Sequence, residues 1–573
     1  MKTIIKYISI TILGLLVNIS CSEDFVETTP IALASEASFY TTMVAAEMAT
    51  TVCYSNFCHE KVWDLSIMMT LGSIASDEAE AGAGGKDDVK QYQHIDQLTH
   101  SPAEAEVFSW PYGCLYRTIN YCNVAMKKLP LINAEMDETF DATLIKKYLA
   151  EARFLRAFHY FKLMEIFGGV PIVDHILLPD EYLKPRNSIS EVLNFCKSDL
   201  NIAIESLPTK PEWGPDNVGR ASKGAAQALM AKVYLYESSY ANYYPGDERF
   251  TGCVQNWDSA LYWAEEVMEP EHGYKLVGID GERFLTWRDK DGIANTGGYQ
   301  VIFMVAGDNN EEGIFEIQYA NDSKANFPSR GNGITNWCGV RRLQYLDPAL
   351  IDANPDGVES FGWGWWCPTD FLVESYETGD PRYKATVMEE TDSVLCYLGS
   401  DGGTNWRAPN FNVLRAGTGL HRATRKYEAS IDEFWGGKSN WQNGPGNMKL
   451  IRYADVVLWA AEAAMMLNDN DKALEYINMV RTRARMSGDT GFPIDLTGPI
   501  TLDHIMHERL VELALEGYRF WDLVRWNKAV EYLNHTLANG DKVIFESPQY
   551  DFWPIPEEEI GLSGGLIEQN PGW

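Results

Sequence analysis

Apolar residues recur at helical spacing over long stretches of this chain, and small residues alternate with bulky ones within those stretches. Alanines let two helices approach closely, and bulky side chains fill the gaps between successive pairs. The alternation is seen at Ala225, Ala228, Tyr234, Ala260, Ala264 and Val267, and again at Ala461, Ala464, Ala473 and Ile477. The pattern predicts a mainly α-helical protein of tetratricopeptide-like hairpins, with an irregular helical bundle as the alternative.

The segment from Leu144 to Phe167 is apolar on two faces, so its helix is expected to lie between neighbouring helices. Gly168-Gly169 and Pro171 follow it and predict its end. Similar periodicity predicts further helices at Ser190–Leu207, Ser222–Tyr240, Trp257–Met268, Arg452–Leu467, Asp471–Arg485 and Leu502–Leu515.

Helical periodicity fades between about Gly273 and Asn447, where glycine, asparagine, tryptophan and tyrosine dominate. Ile314 to Tyr319 alternates and predicts a short strand. Binding residues often lie on loops that a rigid scaffold positions. We therefore expect an N-terminal helical region at 21–272 and a C-terminal region at 273–573 that holds the loop-rich insertion and the last helices.

The N-terminus resembles a bacterial lipoprotein signal peptide. Lys2 and Lys6 precede an apolar stretch from Ile8 to Val17, which is too short to span a bilayer, and Ser20 precedes Cys21. Residues 1–20 are thus a predicted signal peptide and Cys21 a predicted lipid attachment site. The alternative is an ordinary secretory signal with an incidental cysteine.

Charge and cysteine content narrow the function classes. The formal net charge is -33, which repels phosphate backbones and disfavours a nucleic-acid partner. None of the cysteines shows the paired spacing of a structural zinc site. In an exported chain Cys53 could pair with Cys58, or Cys114 with Cys122.

Catalytic and metal-binding patterns are incomplete. Glu508, Glu512 and Glu516 lie one helical turn apart, but basic residues alternate with them, so a structural ion-pair network is favoured over paired catalytic carboxylates. The members of that expected network are Glu508, Arg509, Glu512, Glu516, Arg519, Asp522 and Arg525. The acidic run from Asp308 to Glu312 could hold calcium through oxygen ligands, but it lacks the spacing of an EF-hand, and a solvated acidic loop is preferred. We predict no catalytic residue, no metal ligand and no cofactor.

A succession of short motifs resembles the SusD/RagB family of outer-membrane nutrient-binding lipoproteins. The C-terminal motifs are Arg452-Tyr453-Ala454-Asp455, Ala461-Glu462-Ala463, Glu508-Arg509, Glu516-Gly517-Tyr518-Arg519, Asp522-Leu523-Val524-Arg525-Trp526, Pro554-Ile555-Pro556 and Gln569-Asn570-Pro571-Gly572. The N-terminal half agrees through Glu151-Ala152-Arg153-Phe154-Leu155-Arg156-Ala157 and Phe167-Gly168-Gly169-Val170-Pro171. The similar motifs run through nearly the whole mature chain.

The resemblance implies a binding function without chemistry. It implies a lipid-anchored protein on the outer surface of the outer membrane, with tetratricopeptide-like hairpins supporting a loop-built ligand face. Its partners would be a glycan, or a peptide as in some relatives, and a TonB-dependent transporter of the SusC type. A protein-interaction scaffold and a secreted glycan-active enzyme are the other hypotheses.

Aromatic residues outside the predicted helices are the candidate ligand contacts, because an indole face matches the apolar face of a sugar ring. The resemblance implies contacts from the middle region and from a loop near Ser76–Ser101. We predict a glycan-binding site formed by Trp287, Trp337, Trp363, Tyr92, Asn336 and Arg341. By contrast, Trp63, Trp257, Trp459, Trp521 and Trp526 lie in helical patterns and are predicted core residues.

Overall fold

A computed structural model describes most of the chain. The described residues are 39–58, 61–82, 87–104, 106–289, 292–319, 331–339, 343–345, 358–359, 362–389, 396–397, 411–413, 420, 422–427, 444 and 446–573, with only the backbone described at 58, 285–289, 292–296, 343–345, 358–359, 396–397 and 411–413. Cys21 and the predicted signal peptide lie outside this part of the chain.

Helices dominate the described residues. The α-helices are α1 (Met43–Ser55), α2 (Lys90–Asp96), α3 (Ser109–Lys128), α4 (Ala142–Phe167), α5 (Ile189–Ser206), α6 (Lys210–Trp213), α7 (Lys223–Tyr243), α8 (Trp257–Met268), α9 (Gly298–Val301), α10 (Ile334–Cys338), α11 (Asp370–Ser375), α12 (Pro381–Thr386), α13 (Tyr453–Met466), α14 (Asn470–Met486), α15 (Leu502–Leu513), α16 (Arg519–Arg525), α17 (Ala529–Tyr532) and α18 (Glu557–Leu562). A π-helix, Val62–Ile74, precedes α2 and is buried along its whole length.

The long helices pack in succession. Helix α1 lies against α3, α3 against α4, α4 against α5, α5 against α7, α7 against α8, α8 against α13, and α13 against α14. Each internal helix therefore has neighbours on two sides. This confirms the expected stack of helical hairpins, in which a helix without two partners would leave an apolar face in water.

Helix α4 shows how the sequence sets this arrangement. Asp141 caps its first turn by accepting hydrogen bonds from the amides of Thr143 and Leu144. Gly168, at a φ of 73°, ends the helix in a conformation that favours glycine. Between them both predicted apolar faces are buried, which confirms the sandwiched position.

Short strands connect the helical stack to the middle region. They are β1 (Ala79–Gly82), β2 (Phe284–Asp289), β3 (Gly292–Thr296), β4 (Gly313–Ile317), β5 (Leu343–Tyr345), β6 (Val358–Glu359), β7 (Trp365–Pro368), β8 (Val387–Glu389), β9 (Cys396–Tyr397), β10 (Phe411–Val413), β11 (Arg422–Thr424) and β12 (Met448–Arg452). The antiparallel pairs include β1 with β7 and β4 with β12. The predicted strand near Ile314 is thus confirmed as β4, and it is buried on both faces.

The three glutamates of α15 and the following turn are held by buried ion pairs, as predicted, but their partners differ from those expected. Arg382 and Arg481 hold Glu508, and Arg452 bridges Glu512 at 2.6 Å and Glu516 at 2.8 Å. Arg509 and Arg525 pair with Asp522 inside the expected network, whereas Arg519 pairs with Asp77 outside it. These three glutamates therefore stabilise the fold through buried ion pairs.

Candidate functional site

The pairing of β1 with β7 brings the N-terminal loop against the middle region. Gly82 is registered with Trp365, and Ala79 with Pro368. Helix α2 follows β1 and carries Tyr92, while α10 carries Trp337 and lies against β7. As a result Tyr92, Trp337, Trp363 and Trp365 meet, and we call these four residues the aromatic cluster.

The rings of the aromatic cluster are organised around Trp365. Trp337 stacks on it with ring centroids 5.2 Å apart and planes 5° apart. Tyr92 contacts Trp365 at 5.3 Å with a tilt of 55°, and Trp363 at 6.4 Å with a tilt of 31°. Trp363 is 40% exposed, whereas the other three rings are buried. The cluster thus presents one indole to solvent and supports it from behind.

The backbone at Trp366 separates two neighbouring tryptophans. Trp366 has a φ of 62°, a conformation that a bulky residue adopts only when its surroundings impose it. Trp365 belongs to the aromatic cluster, whereas Trp366 is fully buried and its ring stacks on Tyr427 with centroids 5.3 Å apart. Trp366 therefore has a structural role in the core.

Asp64 supports the aromatic cluster from the π-helix. Its Oδ2 accepts hydrogen bonds from the Gly333 amide at 2.9 Å and from the Trp337 indole N–H at 3.4 Å. Burial raises the pKa of this carboxyl group, although the hydrogen bonds from Gly333 and Leu65 oppose that shift. Asp64 therefore fixes both the start of α10 and the orientation of the Trp337 ring.

Two polar atoms in this site have no hydrogen-bond partner among the described residues. They are the Oδ1 acceptor of Asn336 and the Nε1–H donor of Trp365, and both are buried. The Asn336 carbonyl meanwhile accepts a hydrogen bond from the Trp363 amide at 2.8 Å. Because both atoms are buried, ordered water is the partner that suits them, and the part of the cluster open to a ligand is the Trp363 ring.

The structure brings together some of the predicted site residues. Tyr92, Trp337, Trp363 and Asn336 are neighbours, and of these Tyr92 and Trp337 lie behind the surface. Burial raises the pKa of Tyr92, and the carboxylate of Glu106 adds to that shift. Trp287 lies on β2, where only the backbone is described, and Arg341 lies outside the described residues.

Two residues of the site were not predicted. Nothing in the sequence separates Trp365 from its neighbour Trp366, and only the pairing of β1 with β7 distinguishes the two. Asp64 is a single acid within an otherwise apolar and neutral run from Val62 to Ile74. That isolated charge was the one available signal, because a buried carboxylate needs hydrogen-bond donors nearby.

The acidic run near Asp308 is held by protein cations. Asp308 accepts from the Lys449 ammonium at 2.6 Å, and Glu312 bridges Arg452 and Arg483. Only Glu311 of the acidic side chains is exposed, so the expectation of a solvated acidic loop is wrong for Asp308 and Glu312. Within the described residues, no group of three or more His, Cys, Asp or Glu side chains is placed to hold a metal ion.

A separate cavity of about 400 Å³ lies where the C-terminal segment meets the end of α4. Its lining includes Arg186, which donates to the carbonyls of Gly169 and Phe167 and to Asn570 Oδ1. Arg249, also in the lining, is held by Asp247 and Asp551. Because these arginines already have partners, the cavity offers less to a ligand than the aromatic cluster does.

Comparison with known proteins identifies the family. The sequence profile of the SusD family matches residues 311–573, and a second profile, described as starch-binding associating with outer membrane, matches residues 63–235. The starch-binding protein SusD of Bacteroides thetaiotaomicron is 34% identical over 74% of this chain and 72% of its own length. The chain belongs to the SusD family.

Other relatives agree with this assignment. A SusD-like protein of Bacteroides ovatus is 25% identical over 90% of this chain and 82% of its own length. Among solved structures, a laminarin-binding SusD-like protein is similar with a TM-score of 0.72 and 25% identity, covering 93% of this chain and all of that one. The fold described above is therefore the SusD fold. Across the described residues, no helix combines the length and hydrophobicity needed to cross a membrane.

Proposed function

We propose that this SusD-family protein captures a glycan at the aromatic cluster and passes it to a SusC-like TonB-dependent transporter of the outer membrane. The observation that carries the proposal is the exposed Trp363 indole, supported by the stacked pair of Trp337 and Trp365. A rigid aromatic surface loses little conformational entropy when a sugar ring stacks on it.

Two relatives suggest glucans as the first ligands to test. One is named for starch binding and the other for laminarin binding. Buried ion pairs hold Glu508, Glu512 and Glu516, so these carboxyl groups lack the access to substrate that the acid of a glycosidase needs. The proposed role is therefore binding without hydrolysis.

Calorimetric titration of the mature protein with starch and laminarin oligosaccharides tests glycan capture. We expect saturable binding of at least one glucan and no shortening of it after prolonged incubation. Binding of peptides with no glycan bound would favour the peptide alternative, and released short sugars would indicate an enzyme. Absence of any small ligand would favour an interaction scaffold.

The surface anchor and transporter partner are tested in membranes. We expect mild detergent extraction to recover the protein together with a TonB-dependent barrel, and surface proteolysis of whole cells to reach it. Cys21→Ala should abolish lipid attachment and release the protein into the soluble fraction. Recovery of the wild-type protein alone, or unchanged membrane association of Cys21→Ala, would contradict these parts of the proposal.

A further inference from the structure

Helices α1 and α3 pack antiparallel, and their register can be followed residue by residue. At one end, the Lys128 ammonium lies 5.9 Å from the ring of Tyr40, just before α1. At the other end, Asn56 donates to Thr118 Oγ1 at 3.2 Å, and the Cys114 thiol donates to the Asn56 carbonyl at 3.5 Å. This register, continued one turn further, places Cys53 of α1 opposite Cys122 of α3.

The two thiols occupy this interface together. Both side chains are fully buried, and the Cys53 thiol also donates to the Ala49 carbonyl at 3.4 Å. Burial raises the pKa of Cys122 well above its ordinary value, and a hydrogen bond with the Cys53 thiol adds to the shift. The helix register and this interaction place the two thiols beside each other, and this pairing differs from the Cys53–Cys58 and Cys114–Cys122 pairings considered from the sequence.

We propose that Cys53 and Cys122 form an intramolecular disulfide in the exported protein. In the structure both are free thiols. A disulfide needs the two Cα atoms within about 4.4–6.8 Å of each other, so the helices must be close at this point. Ala46 and Ala49 on α1 and Ala125 on α3 flank the cysteines and keep the interface free of bulky side chains.

The reaction requires an oxidant that the chain does not supply. Forming the S–S bond removes two electrons and two protons from the thiols, and a thiol–disulfide oxidoreductase of the exported compartment would accept them as its own disulfide becomes two thiols. A buried thiol with a raised pKa is a poor nucleophile. The exchange must therefore occur while the chain folds, before α1 closes over α3.

The bond would fasten α1 to the rest of the stack. Helix α1 is the first described helix after the predicted lipid attachment at Cys21. A disulfide to α3 closes the loop between residues 53 and 122 and constrains the unfolded chain. The proposal rests on export of the chain, and it does not depend on glycan binding or on the transporter.

Differential alkylation of protein isolated from the outer membrane tests the disulfide. Free thiols are labelled with a first reagent in denaturant, then the protein is reduced and labelled with a second. We expect the second label on Cys53 and Cys122, and the first label on Cys114 and Cys196, which are equally buried free thiols and serve as matched controls. The first label on both Cys53 and Cys122, or a disulfide of Cys122 with Cys114, would overturn the proposal.

Thermal unfolding gives a second measurement. We expect a reductant to lower the Tm of the exported wild-type protein, and to leave unchanged the Tm of the Cys53→Ser/Cys122→Ser double variant. If the variant fails to fold, wild-type protein folded in the cytoplasm serves as the reduced reference, because its thiols stay reduced there. We expect this protein to have the lower Tm, and oxidant added after folding should not raise it. An identical Tm for the exported protein with and without reductant would contradict the inference.

Discussion

At the residue scale, Trp363 is the side chain whose removal should weaken ligand binding without lowering stability. Its indole is 40% exposed, so Trp363→Ala removes ring contact with a sugar while leaving the stacked pair behind it in place. We expect a loss on the order of 1–3 kcal/mol in binding free energy, about tenfold or more in Kd. Calorimetric titration measures the affinity, and the Tm should change little.

Two tryptophans serve as controls for this experiment. Trp110 is also 40% exposed but lies outside the aromatic cluster, so Trp110→Ala should keep full affinity. Trp366 is fully buried, and Trp366→Ala should cost about 3–5 kcal/mol of stability. Equal affinity losses for Trp363→Ala and Trp110→Ala would place the binding surface elsewhere.

Asp64 belongs to the same scale because it orients Trp337 without reaching the surface. Asp64→Ala leaves the Gly333 amide and the Trp337 indole N–H without their acceptor. We expect a destabilisation of about 1–3 kcal/mol and weaker glycan binding. Asp64→Asn keeps an acceptor of similar size and should lose less of both. Urea unfolding and titration of the two variants measure the difference, and unchanged affinity in a folded Asp64→Ala protein would exclude the positioning role.

At the element scale, ion pairs join α15 to β12, α12 and α14. Glu512 receives Arg452, Arg382 and Arg483, each from a different element. Burial opposes ionisation of Glu512, but these arginines outweigh it and lower its pKa to about 2. The carboxylate is therefore charged at all ordinary pH values and holds these elements together.

Glu512→Gln should destabilise the protein strongly, because it leaves buried guanidinium groups without their shared carboxylate. Removing one partner of a buried pair typically costs about 3–5 kcal/mol. The matched control is Glu531→Gln, which breaks an ion pair between Glu531 and Lys528 near the surface and should not change stability measurably. Chemical denaturation of the two variants provides the comparison. Similar midpoints would show that the buried pair contributes no more than the surface pair.

Most long helices could be predicted from the sequence because they have either one apolar stripe or two opposite ones. The predicted Trp257–Met268 helix has the observed bounds, and Leu502–Leu515 ends two residues late. Helix α3 was missed, since Pro111 and Gly113 interrupt its first turn. The π-helix at Val62–Ile74 was missed as well, because a segment buried on every side shows no amphipathic period.

The candidate site was only partly predictable. Exposed loop aromatics are visible in the sequence, and Trp337 and Trp363 were selected on that basis. Their arrangement around Trp365 depends on the pairing of β1 with β7, which joins residues far apart in the chain. The support from Asp64 depends on a similar long-range contact. No local pattern encodes such contacts, so the site residues stay predictions until binding is measured.

At the scale of the whole molecule, buried carboxyl groups divide into two classes with opposite pH responses. Burial raises the pKa of Glu78 and of Glu151 to about 7, although Arg220 partly opposes the shift at Glu151. For Glu165, as for Glu512, nearby cations outweigh burial, and Lys162 and Lys232 lower its pKa to about 2. Glu78 and Glu151 therefore stabilise the folded state when they are protonated. Glu165 and Glu512 stabilise it when they are ionised.

We expect stability to be greatest near pH 4.5–5 and to fall on both sides. Between pH 4.5 and about 7 the folded protein binds more protons than the unfolded chain at Glu78 and Glu151, so stability falls as pH rises through that window. Between pH 4.5 and about 2 the unfolded chain binds more protons at Glu165 and Glu512 than the folded protein does, so stability falls as pH falls. Urea denaturation across this range gives the profile of unfolding free energy against pH.

Glu78→Gln and Glu151→Gln should each reduce the loss of stability between pH 4.5 and 7 by about 1–3 kcal/mol, since one pKa unit corresponds to about 1.4 kcal/mol. A wild-type profile that rises steadily from pH 4.5 to 7 would show that these two carboxyl groups ionise normally in the folded protein.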